Sequence, residues 1–125
     1  MNFEWIKYLH LAHELGGQTL SLANQEARLR AAISRAYYAV FCKCRNRLRD
    51  KENHRIPPGG KAHQYVCNEF KRSMNKLRRQ IGQTLERLRS DRNKADYDDK
   101  ITMLDLLVKT DLALADNIIS ILNKL

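Results

Sequence analysis

The residues best suited to chemistry form one polar stripe late in the chain. Within Leu85–Asp98, the residues Arg89, Arg92, Asn93 and Asp96 follow one another at intervals of three, one and three. On a helix this spacing places all four side chains on one face. Guanidinium, amide and carboxylate groups on one stripe form an unusually polar cluster for a helical bundle, which indicates a candidate site. An arginine–aspartate pair that joins two helices, with the asparagine ending or capping one of them, would explain the same residues.

Other chemistries find little support. Cys42 and Cys44 are two residues apart, about 200° around a helix, so they point apart and cannot chelate one metal together. Cys67 stands alone, and no Cys-x-x-Cys, His-Glu-x-x-His, Gly-x-Ser-x-Gly or glycine-rich phosphate loop occurs. We therefore expect buried structural thiols and no metal or cofactor. An odd number of cysteines indicates free thiols, and with them a reducing, cytoplasmic location.

Two histidines bear on a possible active site. His63 follows Gly59-Gly60-Lys61 where a helix is predicted to begin, and we expect it to pack or to cap that helix. Arg49 and His54 are separated by four residues, a spacing that arises easily by chance in a chain with 23 basic residues and four histidines.

Positive charge is concentrated in the middle of the chain. The 125 residues include 23 Lys+Arg and 14 Asp+Glu, a formal net charge of +9. Residues 28–55 and 61–94 each carry a net +7, whereas residues 1–27 carry −2 and residues 95–125 carry −3. A basic centre indicates an anionic partner, most commonly nucleic acid. Extra lysine and arginine on a solvated face would explain the same excess.

The elements that must position these residues are predicted to be helices. An opening helix ends at Gly16-Gly17, since glycine suits the residue after a helix end. In a long second helix, apolar residues recur every three or four positions over 29–48. Pro57–Gly60 marks the main loop. Because no run of about 18 apolar residues occurs, and no basic stretch precedes an apolar one at the start, we expect neither a membrane span nor a signal peptide.

Three helices are predicted beyond the loop. The third runs through Val66 and Ile81, a possible break at Gly82 separates it from the fourth, and the closing helix covers 101–122. We predict one domain over residues 1–125, an all-α, up-and-down bundle of about five helices. Long antiparallel helices around one core leave both a monomer and a dimer open.

Three blocks of the chain occur in an order typical of a known family. The first, Glu26–Phe41, contains Ser-Arg-Ala-Tyr-Tyr-Ala-x-Phe; the second joins His63, Val66 and Phe70; the third is Leu88–Asp98, with its Arg-Asn and Ala-Asp-Tyr-Asp. Together they resemble the HEPN domain family, in its prokaryotic branch linked to nucleotidyltransferase partners and to toxin–antitoxin and defence systems. The resemblance implies a small α-helical bundle that commonly dimerises.

The resemblance also implies which residues would form the site. Ribonuclease members of the family carry an arginine, usually a polar neighbour, and a histidine a few residues further on, and they cut RNA without a metal. Arg92 matches the arginine and Asn93 its neighbour, while Tyr97 stands where the histidine would be. Histidine titrates near ~6.5 and suits proton transfer at neutral pH, whereas tyrosine titrates near ~10 and is a poor base. Tyr97 would still donate a hydrogen bond or stack on a base.

Hypotheses of different classes follow. In the first, the protein binds RNA or a nucleotide as a homodimer, with Arg89, Arg92, Asn93 and Asp96 lining the site. In the second, it is a metal-independent endoribonuclease toxin, held by a nucleotidyltransferase-type or other antitoxin protein. There Arg92 would stabilise the phosphorane charge, Asn93 would orient the phosphate, and Tyr97 or a histidine from elsewhere would move protons. A third hypothesis is a non-catalytic scaffold or regulatory partner.

Overall fold

Five α-helices and no β-strand make up residues 3–17 and 22–125, the part of the chain that the computed structural model describes. The helices are α1 (Ile6–Gly16), α2 (Leu22–Asp50), α3 (Lys61–Lys71), α4 (Lys76–Tyr97) and α5 (Leu104–Lys124). The prediction of an all-α helical bundle is confirmed. In the described ranges, no helix combines the length and apolar character that crossing a bilayer requires.

The long helix α2 is the centre of the bundle. It is 29 residues long and packs against each of the other four helices. Ala36, Val40, Cys44 and Leu48 follow one another at intervals of four and are fully buried. Because residues four apart lie on one helical face, they form a continuous apolar stripe that the neighbouring helices cover. Tyr37, one residue beyond Ala36, turns a second buried face towards α3 and α4.

The predicted break at Gly82 is wrong, because α4 runs through this residue without interruption. The break lies earlier, between the end of α3 at Lys71 and Asn75, whose side chain accepts a hydrogen bond from the backbone nitrogen of Arg78 at 3.0 Å and so caps α4. Gly82 serves packing instead. A Cβ atom at this position would lie 2.5 Å from the backbone nitrogen of Lys71, so the glycine permits the close approach of α3 and α4.

Apolar spacing is a good guide to the core except where the break was misplaced. Helix α1 ends at Gly16, as predicted. Met74 and Leu77, which continue the apolar spacing of α3, are exposed because the chain turns between α3 and α4. Helix α5 begins at Leu104, three residues later than the predicted start of the apolar pattern at Ile101.

Two carboxyl groups meet in the interior, Asp91 on α4 and Asp111 on α5. Asp111 is fully buried, and no donor in the described residues reaches either of its carboxyl oxygens. Burial, followed by the hydrogen bond and charge of Asp91, raises the pKa of Asp111 to about 8, against the opposing charges of Arg87 and Lys94. A proton held by Asp111 removes the repulsion that two neighbouring carboxylates would otherwise exert on each other.

Candidate nucleic-acid interface

Side chains from three helices form a cluster beside α4. We call it the basic cleft and define it by Tyr37 and Tyr38 of α2, His63 of α3, and Arg89 and Arg92 of α4. The guanidinium carbon of Arg92 lies 5.1 Å from the ring centre of Tyr38 and 5.8 Å from that of Tyr37. The Arg92 side chain is only 12% exposed. Cation–π contacts of this kind hold the guanidinium of α4 against α2.

The hydrogen bonding of Arg92 is incomplete. Nη1 lies 3.5 Å from Oδ2 of Asp96, one turn further along the same helix. Nε is buried and has no partner among the described residues. The Arg92–Asp96 pair therefore does not join two helices, and Asn93 does not end one, since α4 continues to Tyr97. A buried donor without a partner is what an ordered water or a bound anion would satisfy.

His63, the third residue of α3, is fixed by an aromatic stack and a hydrogen bond. Its ring stacks on Phe41 with the centroids 4.2 Å apart, and its Nδ1 lies 2.7 Å from the hydroxyl oxygen of Tyr37. Burial raises the pKa of Tyr37, so its hydroxyl stays protonated. In the described part of the chain, the acceptor within reach of the Tyr37 hydroxyl is Nδ1 of His63. The hydroxyl therefore donates to Nδ1, and the neutral imidazole carries its proton on Nε2.

The two arginines act electrostatically on this histidine. Burial first, and then the charges of Arg89 and Arg92, lower the pKa of His63 to about 4. At neutral pH the ring is therefore uncharged and presents an N–H donor instead of a base. The charges of the same two arginines also act on the hydroxyl of Tyr37. This agrees with the geometry, since Arg92 contacts the ring of Tyr37 and Arg89 lines a pocket together with Tyr37 and His63.

Arg89 contributes a second cation beside His63. It lines a pocket of about 160 Å³ between α2, α3 and α4, together with His63 and Asn68. The carboxylate of Glu86, which also lines this pocket, lies 2.8 Å from Nζ of Lys71 and is paired there. Arg89 itself has no hydrogen-bond or ion-pair partner in the described part of the chain. Its charge is thus available to a ligand.

The C-terminal end of α4 is held in register by Arg30 of α2. Nη1 of Arg30 donates to the carbonyl oxygens of Ala95 at 2.9 Å and Asp98 at 2.6 Å, and Nη2 donates to that of Asp99 at 3.3 Å. The last carbonyls of a helix have no partner within it, so a donor from another helix satisfies them. This clamp fixes α4 along α2 and so keeps Arg92 over the tyrosine rings.

The predicted site residues separate into two groups. Arg89 and Arg92 lie in the basic cleft, and Asp96 borders it through its pair with Arg92. Asn93 is exposed, and Tyr97 is 76% exposed at the end of α4. Five residues of helix place Tyr97 about 140° around α4 from Arg92. In the structure, His63 of α3 is the histidine that accompanies the arginines.

Sequence reasoning assigned no ligand-binding role to Tyr37, Tyr38 and His63. His63 was expected to pack or to cap a helix, and it does pack. Its position beside the arginines was not predictable, because that position depends on how α3 packs against α4. The available signal was the Tyr-Tyr pair with Phe41 one turn after Tyr37, since adjacent helical residues point about 100° apart. In the structure Tyr37 is buried with Phe41, and Tyr38 lies half-buried beside them.

The remaining candidates lie elsewhere. His54, which follows Arg49 at the histidine spacing, bonds through Nδ1 to the Tyr65 hydroxyl at 2.7 Å, and Arg49 bonds to Asp50 at 2.8 Å. Cys42 and Cys44 are buried free thiols, as predicted, whereas Cys67 is a free thiol that is only half-buried. Among residues 3–17 and 22–125, no three histidine, cysteine, aspartate or glutamate side chains come together in a way that would hold a metal ion.

The chain was compared with known families, proteins and structures. No protein-family model matches the chain, and neither does a curated protein or a solved structure. The likeness to the HEPN family is therefore carried by the three sequence blocks alone.

Proposed function

We propose that this chain is a HEPN-type RNA- or nucleotide-binding protein and that the basic cleft binds the phosphate backbone of single-stranded RNA. One observation carries the proposal: Arg89 and Arg92 both lie beside the partly buried Tyr37–His63 pair, Arg92 with its guanidinium carbon 5.8 Å from the ring centre of Tyr37 and Arg89 in a pocket that both members of the pair line. A cluster of two guanidinium groups, with its nearest carboxylate at 3.5 Å from Arg92, favours an anion.

The groups in the cleft match the parts of a nucleotide. Guanidinium groups bind phosphate through paired N–H donors, and a guanidinium already held against aromatic rings loses little freedom on binding. The Nε2–H of His63 adds a donor that stays neutral and keeps its orientation. Tyr38 is half-buried, and the guanidinium carbons of Arg92 and Arg35 lie 5.1 Å and 5.6 Å from its ring centre. Together these groups supply phosphate contacts beside an aromatic ring.

Fluorescence anisotropy with a labelled oligouridylate of about 12 nucleotides, a length within the usual site sizes for single strands, tests the proposal. We expect salt-dependent binding whose log–log slope is roughly −0.7 for each phosphate contact. Arg92→Gln should weaken binding about tenfold, the loss of one charge-assisted contact. Arg72→Gln is the matched control, because Arg72 is exposed at the opposite end of α3 from His63. Equal affinity of the two variants would refute the site.

A metal-independent endoribonuclease is the second candidate, and the position of His63 favours it. The hypothesis needed a histidine from elsewhere, and His63 lies where both arginines act on it. The lowered pKa of His63, about 4, makes its free imidazole a weak base at neutral pH, which is why we rank binding first. Cleavage of total RNA in EDTA, abolished equally by Arg92→Gln and His63→Ala, would reverse this order.

Assembly belongs to the proposal as well. The family resemblance suggests a homodimer and a nucleotidyltransferase-type antitoxin as partner, and the exposed Asn93 and Tyr97 on α4 are free to face RNA or a second copy. Sedimentation with and without RNA measures the oligomeric state. Under the scaffold hypothesis, Arg92→Gln would lower the melting temperature and leave RNA binding unchanged.

A further inference from the structure

A second and larger pocket adjoins the basic cleft. It measures about 850 Å³ and lies between Trp5 ahead of α1, the middle of α2, the loop that follows α2, and the start of α3. Its volume falls within the range of small-molecule sites, roughly 300–1,000 Å³. Tyr38 and His63 belong both to its lining and to the basic cleft. A ligand that reaches Arg92 across Tyr38 therefore meets this pocket next.

The lining is cationic and aromatic. Arg45, Arg49 and Arg55 line the pocket together with Trp5, and none of the lining residues is acidic. Arg49 is paired with Asp50, which lies outside the lining, whereas neither Arg45 nor Arg55 is within ion-pair distance of a carboxylate in the described residues. This combination selects an anion that carries a flat ring.

The guanidinium group of Arg45 is oriented by contacts with neighbouring residues. Its guanidinium carbon lies 5.5 Å from the ring centre of Trp5, and its Nε donates to Oδ1 of Asn46 at 3.0 Å. These contacts orient the guanidinium, while its two Nη groups have no partner in the described structure. A guanidinium with an occupied Nε and two open Nη groups presents a fork to a phosphate.

The loop that closes the pocket is fixed by backbone geometry. Asn53 adopts a left-handed conformation with φ of 60°, and the backbone nitrogen of His54 donates to the carbonyl of Leu48 at 2.9 Å, which ties the loop back to the end of α2. The His54 side chain is bonded to Tyr65 of α3 at 2.7 Å. Pro57 then restricts the chain further. The pocket is therefore formed before any ligand arrives.

We propose that this pocket binds one nucleotide of single-stranded RNA, with its base against Trp5 and its phosphate against Arg45 and Arg55. The inference rests on the proposed function and extends the bound strand beyond Arg92. An acidic polypeptide would match the arginines but would leave the aromatic wall without a purpose. The ring of Tyr38, shared by the cleft and the pocket, is the surface over which the strand passes from one to the other.

Trp5 is the only tryptophan in the chain, so its fluorescence reports on this pocket alone. Unlabelled oligouridylate of about 12 nucleotides should quench it with the affinity that anisotropy measures. Arg45→Gln and Arg55→Gln should each make the salt slope shallower by about 0.7. Trp5→Ala should weaken binding roughly five- to hundredfold, the range for loss of one base–aromatic stack. Arg72→Gln should alter neither reading.

The outcomes separate this inference from the proposed function. If Arg92→Gln weakens RNA binding while Trp5 fluorescence and the Arg45 and Arg55 variants stay unchanged, the pocket assignment is overturned and the cleft stands. If the wild-type protein binds no RNA at low salt, both fail. If poly-glutamate quenches Trp5 as strongly as RNA does, the pocket responds to charge alone and a nucleotide is the wrong ligand.

Discussion

Replacing Arg92 with glutamine should raise the pKa of His63 by up to about one unit, from a starting value of about 4. The guanidinium carbon of Arg92 and the His63 ring centre lie 5.8 Å and 5.7 Å from the ring centre of Tyr37, so their separation is at most about 11.5 Å. At an effective dielectric constant of about 20, two unit charges that far apart interact by about 1.4 kcal/mol, which is one pKa unit. Removing the cation makes protonation of His63 easier by this amount at most, because burial and Arg89 account for larger parts of the lowering from 6.5 to about 4.

NMR titration of the histidine ring protons between pH 3 and 8 measures this shift. Arg92→Lys should leave the pKa of His63 near the wild-type value because the charge is kept. Lys94→Gln is the control, since Lys94 lies on α4 and is not among the charges that lower the pKa of His63. Two results would refute the reasoning: a wild-type His63 that titrates near its ordinary value, or equal shifts in Arg92→Gln and Lys94→Gln.

Three further predictions concern the scaffold that positions the cleft. Between about pH 4 and 8 the folded wild-type protein keeps a proton on Asp111 that the unfolded chain has released, so its unfolding free energy should fall by up to about 1.4 kcal/mol per pH unit as the pH rises. Asp111→Asn should abolish this fall, so the melting temperature of the variant should exceed that of the wild type increasingly towards pH 8. Melting temperatures of the two proteins that change in parallel with pH would contradict this. Gly82→Ala should lower the unfolding free energy by about 1–3 kcal/mol in urea titration, because the new Cβ would meet the Lys71 backbone; a stabilised variant would show that the two helices separate without cost. Glu52→Gln should cost about 1–3 kcal/mol by the same assay, because the partly buried carboxylate of Glu52 accepts two hydrogen bonds from Arg78 at 2.8 and 2.9 Å; an unchanged midpoint would contradict this.

Helices were predictable from the sequence where one buried apolar face extends along the whole helix. Ala36, Val40, Cys44 and Leu48 recur at helical intervals and are buried because neighbouring helices cover that stripe. The start of α4 was missed because Met74 continues the apolar spacing through a turn. The local signal was Asn75, a residue type that caps helices well.

Gly82 shows why long-range packing escapes a sequence pattern. The local sequence around a glycine in a helical pattern is the same whether the glycine ends the helix or allows another helix to pack closely against it. Only the backbone of Lys71 beside it distinguishes the two. The basic cleft follows the same rule: the spacing of Arg89 and Arg92 predicted a shared face, whereas the approach of His63 depends on how α3 packs against α4.

Photo-crosslinking with an oligouridylate that carries 4-thiouridine tests most directly whether RNA lies in the basic cleft. The crosslinked residues are located by mass spectrometry of the digested complex. We predict crosslinks to Tyr38 or His63, lost in Arg92→Gln and kept in Arg72→Gln. Crosslinks confined to α5, or a pattern that Arg92→Gln leaves unchanged, would contradict the account.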